Sequence, residues 1–219
     1  MKNSKLTAIV PVREGSQRVK NKNIKPFANT TLLDIKIETL KKVHGIDEII
    51  VSSDSDEMLS IARKHNVSTH RREEHFASSI VNNSDFMQNL SSIVEGGDIM
   101  FALCTSPLLS SETITEIVTK YKENNLRNIV TVTPQKHHMW LDGKPLNYNP
   151  SDAPNSQDLP NIYSVNYGCC ILSKEDLHEH KNVVVDPTFY ITDEIESIDI
   201  DTEFDFMVAE FVYKKVYNV

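Results

Sequence analysis

Cysteine is scarce in this chain of 219 residues: Cys169 and Cys170 are adjacent and Cys104 lies far from both. That spacing fits neither a disulfide framework nor a CxxC zinc pattern, so reduced, buried thiols are the expectation. Long apolar runs are absent as well, and no segment reads as a membrane span. The N-terminal apolar stretch is cut short by Pro11 and Arg13. It reads as a first strand rather than a targeting segment, and a cytoplasmic location is expected. An excess of positive charge is missing too. The formal net charge is -8, which argues against a general nucleic-acid surface because phosphate backbones call for a basic face. There is no internal repeat and no low-complexity tract. What remains is the composition of one globular domain, residues 1–219, with a core and a small appendage.

Apolar patterning fills in that domain. Leu6 to Val12 is a mostly apolar run that ends at Arg13-Glu14-Gly15-Ser16, as a buried strand delivering a polar loop would. Helices are expected over about Thr31–Val43, Asp54–His65, Asn82–Val94, from Ser111, near Lys174–His178 and over Thr202–Tyr217. Strands are expected at Glu48–Ser52, Val67–His70, Asp98–Leu103, Ile129–Thr133 and Tyr163–Leu172, with extended pieces near Val183–Ile191. The alternation predicts an α/β fold, a Rossmann-like doubly wound and mostly parallel sheet with ligands at the strand carboxyl ends. From Pro134 the rhythm fails: five prolines and Trp140 between Pro134 and Asn161 mark an excursion arm or lid, bounded at about 134–164.

Basic residues concentrate where the first strand ends. Arg13, Arg18, Lys20, Lys22 and Lys25 share one short segment, which points to a small polyanion. Gly15 frees the backbone to face a phosphate, Arg13 and Lys22 supply charge, and Ser16 and Asn23 add donors, which together make a triphosphate cradle. The segment is neither GxGxxG nor GxxxxGK[ST]. Near the other end, Asp199 and Asp201 lie two apart on an expected strand and so share a face. Two such carboxylates suit Mg²⁺ beside a triphosphate; a solvated edge, or a cap by Asp201 for the last helix, is the plainer reading.

The Ile9–Asn23 segment resembles the signature of the CMP-acylneuraminate synthetases and their relatives, the CMP-ketodeoxyoctonate synthetases. Later segments agree in order: Ile49-Ile50-Val51-Ser52-Ser53-Asp54, His70-Arg71-Arg72, Thr105-Ser106-Pro107-Leu108 and Ser197-Ile198-Asp199-Ile200-Asp201. The resemblance implies a cytidylyltransferase with CTP as substrate, pyrophosphate as leaving group, Mg²⁺ on Asp199 and Asp201, Arg71 near the nucleotide, and a homodimer formed through the arm. Arg13 and Lys22 would carry the catalytic charge stabilisation. The sequence departs from the family on the acceptor side. Leu103, Cys104 and Leu109 flank the Thr-Ser-Pro-Leu core in place of Gln, Pro and Arg, and Ser164-Val165-Asn166-Tyr167 replaces Arg-Pro-Asn-Gly. Asn166 is the retained acceptor candidate, and Tyr190 reads either as acceptor-pocket lining or as core. The expected acceptor is a nonulosonic or related keto-deoxy sugar acid. A phosphonate or phosphate acceptor and a catalytically silent nucleotide-binding paralogue are the alternatives.

Overall fold

A computed structural model describes residues 3–16, 18–78 and 80–219; Gln17 of the basic segment lies outside them. The first half runs β1 (Leu6–Pro11), β2 (Pro26–Phe27), β3 (Thr30–Thr31), α1 (Leu32–Lys41), β4 (Glu48–Ser53), α2 (Asp56–Lys64), β5 (Ser68–Arg71), α3 (Glu74–Ala77), α4 (Asn83–Ser91) and β6 (Asp98–Phe101). The second half runs α5 (Ser111–Glu123), β7 (Asn128–Gln135), β8 (Trp140–Leu141), β9 (Lys144–Pro145), β10 (Ile162–Ser173), α6 (Lys174–His180), β11 (Thr188–Ile191) and α7 (Glu203–Tyr217).

Among the described residues these strands form one seven-stranded sheet, ordered β11-β7-β10-β6-β1-β4-β5, with β2–β3 and β8–β9 as separate small pairs. β1 sits inside the sheet, parallel to β4 on one side and β6 on the other. Leu6, Ala8, Ile9 and Val10 are all fully buried, the continuous apolar run that a strand covered on both faces requires. The sheet is mostly parallel, and β10 is the exception, running antiparallel to both β6 and β7. One core face gathers Leu33, Ile37, Met100, Ile117 and Ile171; the other gathers Ile9, Leu90, Ile99, Val130 and Leu177. No helix among the described residues is long and apolar enough to cross a membrane.

Between β7 and β10 the chain leaves the sheet as the β8–β9 hairpin and two single 3-10 turns, with Trp140, Leu141 and Leu146 exposed. Helix starts follow side-chain chemistry. Thr31, Asn82, Ser110 and Ser173 each accept a hydrogen bond from the backbone three residues on. α7 opens with a full capping box in which Thr202 and Asp205 satisfy each other's backbone N–H groups. Thr202→Ala is therefore expected to lower stability by about 1 kcal/mol in urea denaturation. The Thr202 hydroxyl holds the Asp205 carboxyl below its ordinary value of 3.8, with burial opposing it. This contribution is present above pH 3.8 and is lost as pH falls through the lower folded value.

Candidate nucleotide cleft

The basic segment is pinned at both ends. After β1, the Val12 N–H donates to the Ser52 carbonyl at 3.0 Å, and Val19 is fully buried beneath the loop. A tight turn follows in which Asn21, at φ 52°, accepts from the N–H groups of Ile24 and Lys25. The Asn23 carbonyl then receives the Leu33 N–H at 3.0 Å, tying the loop to the start of α1. Gly15 takes the left-handed φ of 73° on the exposed crest, with open space around it. Arg13, Ser16, Arg18, Lys22 and Asn23 thereby line a single cleft of about 260 Å³, whose far wall is Leu103, Cys104 and Thr105.

A second cleft of about 300 Å³ adjoins it and shares Arg13, Arg72 and Phe86. Arg72 is one of the three residues on the shared wall. Its Nη2 donates to the Ser52 carbonyl at 2.5 Å and its Nε to Ser52 Oγ at 3.3 Å, while the guanidinium lies 5.0 Å from the Phe86 ring centre. Burial pushes the Arg72 pKa down to about 10. It stays a cation at neutral pH, a planar donor fork in an apolar setting, suited to a phosphate or a flat base. Arg71, the nucleotide-side arginine expected from the sequence, turns elsewhere: it donates to the Asp54 carbonyl at 2.6 Å and pairs with Asp56 at 3.0 Å, outside the lining of either cleft.

The acidic segment meets this cleft from the opposite side. Lys22 Nζ donates to the Ile200 carbonyl at 2.6 Å, and Arg18 pairs with Asp201 at 2.7 Å. The expected strand at 199–201 is not one; no ladder forms there, and a bond from the Ile200 N–H to the Thr105 carbonyl at 2.9 Å joins the Lys22 and Arg18 contacts in holding the segment. Ile200 is fully buried and acts as the peg, which leaves its two acidic neighbours beside Lys22. Burial raises the Asp199 pKa, opposed by a hydrogen bond from the Thr105 side chain. Its Oδ1 is buried with no hydrogen-bond partner. Such an oxygen is an open ligand for a hard cation. Among the described residues no group of three or more metal-binding side chains occurs, so a cation here would need phosphate or water oxygens to complete its shell.

The acceptor candidates lie apart from this cleft. Asn166 donates to Thr133 Oγ1 at 3.1 Å and Thr192 Oγ1 at 2.8 Å, so its amide is committed to a side-chain network. Tyr190 donates to Glu116 on α5 at 2.8 Å and packs against the core. Another cavity, about 430 Å³ between α1, α5 and α7, carries Asp34, Glu38 and Glu112 alongside Lys42 and His65; the three carboxylates make it a poorer home for a triphosphate. Arg18, Arg72 and Phe86 were not singled out by sequence reasoning. Arg18 was legible only as one of several cations, and Phe86 as one more apolar position on a helix.

The cation-lined cleft sits where ligands bind in open α/β sheets, at the carboxyl ends of β1, β4 and β6. Known proteins resemble the chain over nearly its whole length. The chain is 26% identical to post-translational flagellin modification protein B of Campylobacter coli, over 97% of this chain and 96% of that one. It is 25% identical to CMP-N,N'-diacetyllegionaminic acid synthase of Campylobacter jejuni, over 95% of both. It spans about half, 51%, of an N-acylneuraminate cytidylyltransferase A from Danio rerio, at 23% identity over 95% of this chain. In structure it superposes on CMP:2-keto-3-deoxy-manno-octonic acid synthetase in complex with CTP, with a TM-score of 0.68 at 11% identity, over 99% of this chain and 100% of that one. The family described as cytidylyltransferase matches residues 7–151, the stretch that carries β1, the basic loop, Arg72 and Thr105, and the chain belongs to that family.

Proposed function

We propose that this chain transfers CMP from CTP to a nonulosonic or related keto-deoxy sugar acid. An acceptor hydroxyl oxygen bonds to the α-phosphorus as its proton passes to water, the bond from that phosphorus to the bridging oxygen breaks, and pyrophosphate leaves with the electron pair. The observation that carries this reading is the convergence of Arg13, Arg18, Lys22 and Arg72 on one cleft, with the acidic segment tied to it through the Lys22 bond to the Ile200 carbonyl and the Arg18–Asp201 ion pair. Phosphoryl transfer asks little covalent chemistry of the protein and much positioning and charge stabilisation, which this donor set supplies. Arg13 and Lys22 stabilise charge moving onto the leaving group, while Ser16 and Asn23 orient the phosphates.

Asp199 and Asp201 would hold Mg²⁺, which when bound neutralises triphosphate charge; the unpartnered Asp199 Oδ1 supports that fit. A homodimer belongs to the same reading, supported by the exposed Trp140, Leu141 and Leu146 of the arm. A cytoplasmic location is supported by three buried free thiols, Cys104, Cys169 and Cys170. The second reading, a phosphonate or phosphate acceptor, is favoured by Leu103 on the cleft wall and by Ser164, which hydrogen-bonds Gln135 where the resemblance would place an arginine.

Pyrophosphate release should be measured with CTP and Mg²⁺ across a panel of keto-deoxy sugar acids and phosphonates, with ATP, GTP and UTP as controls. Turnover with CTP and one sugar acid is expected, with a loss of about 100-fold or more in Asp201→Ala, the order of a lost charge-stabilising group. Turnover with phosphonates alone would replace the first reading by the second, and silence without CTP binding would overturn both.

A further inference from the structure

α1 buries one residue that an apolar helix face does not call for. Lys36 is 1% exposed, between Ile35 and Ile37, in a core that Leu, Ile or Met would fill without desolvating a charge. Its Nζ donates to the Ser106 carbonyl at 3.0 Å. Ser106 is itself buried and belongs to the turn after β6 that forms the cleft wall. The neighbouring Thr105 is the support of the acidic segment: its carbonyl accepts from the Ile200 N–H at 2.9 Å and its side chain hydrogen-bonds Asp199. A line of contacts therefore runs from the buried ammonium, through the turn, to the segment that carries Asp199 and Asp201. The ammonium also lies within electrostatic reach of Asp199 and of Cys104, which lines the same cleft.

We propose that Lys36 is a positioning residue, whose ammonium fixes the Thr105–Ser106 turn from inside the core and thereby sets the carboxylates of Asp199 and Asp201 for a divalent cation. This rests on the reading of those two residues as the metal site. Lys36 never touches the nucleotide; it acts through Ser106 and Thr105. Lys22 reaches the same segment directly from the cleft through the Ile200 carbonyl, while Lys36 reaches it from the core only by way of the Ser106 carbonyl.

The test uses the full chain and two variants. Lys36→Met keeps volume and removes the donor; Lys36→Gln keeps a donor on a shorter stem. Mn²⁺ binding followed by electron paramagnetic resonance without nucleotide, CTP binding followed by calorimetry in EDTA, and thermal melting would be read in parallel. Lys36→Met is expected to weaken Mn²⁺ binding at least tenfold and to leave metal-free CTP binding within about twofold, with Lys36→Gln intermediate for Mn²⁺. Mn²⁺ affinity unchanged in Lys36→Met would overturn the role of Lys36 alone. Loss of Mn²⁺ and CTP binding together, in step with a lowered melting temperature in both variants, would replace it with plain packing. No Mn²⁺ binding by the unmodified chain would overturn the metal reading and this role with it.

Discussion

Lys22→Met is expected to lower kcat/KM for pyrophosphate release from CTP by about 10²- to 10³-fold, or ~3–4 kcal/mol of transition-state stabilisation. Methionine keeps the stem and its packing and removes only the cation, so the loss reports on charge. Lys22 is half-buried on the cleft floor, where burial lowers its pKa and the nearby Asp201 and Asp199 oppose that shift. In such a setting a fixed ammonium acts on a developing negative charge with little screening and no need to reorganise. Lys20 is the control. It belongs to the same basic run but is exposed and lines neither cleft, so Lys20→Met should leave kcat/KM within about twofold. Equal losses in both variants would mean that the segment acts as a diffuse basic patch rather than through a placed group.

The second large effect concerns stability. Gly97 precedes β6 with a φ of 93°, and a Cβ there would lie 2.4 Å from the Lys5 carbonyl oxygen. That oxygen is backbone and is engaged, accepting the Asp98 N–H at 2.8 Å, so it has no freedom to retreat. Gly97→Ala should cost about 3 kcal/mol in urea denaturation, combining steric overlap with a left-handed backbone. Gly96→Ala is the matched neighbour: nothing lies within 4 Å of its added Cβ, and its effect should stay within about 0.5 kcal/mol. Two adjacent glycines thus separate a tight strand entry from an ordinary loop position.

How much of this was legible beforehand depends on which interactions are local. Helix positions were readable because caps and apolar spacing act within a few residues, as at Ser110 and Thr113 or Thr202 and Asp205. The basic loop was readable because its charges are contiguous. Strand direction was not, since β10 has the same apolar content whichever way it pairs, and its antiparallel place follows from pairings with β6 and β7. The different placement of Arg71 and Arg72 has a simple geometry. Arg71 is the last residue of β5, opposite Ser53, and its successor points the other way, so a slip of one residue exchanges a cleft-facing guanidinium for an outward one. The acidic segment misled for the opposite reason: alternation in Ser197-Ile198-Asp199-Ile200-Asp201 looks like a strand, but its pattern comes from one buried peg, Ile200, hung on Thr105. Lys36 was illegible because a lysine on a helix is by default a surface residue, and only the tertiary neighbour Ser106 explains it.

The placement of β10 has a consequence for how the protein is made. β5, β4, β1 and β6 all come from the first 101 residues and are adjacent in the sheet, so that half can pair while the ribosome is still working on the rest. β7 arrives next but has no neighbour there; it borders only β10 and β11. Until Ser173 has emerged, β6 presents an unpaired edge of buried residues, and β7 is an orphan strand with a run of apolar side chains. Translation through the arm between them is therefore the interval in which the nascent chain is most exposed to wrong pairing, and the closing of β10 between β6 and β7 is the event that ends it.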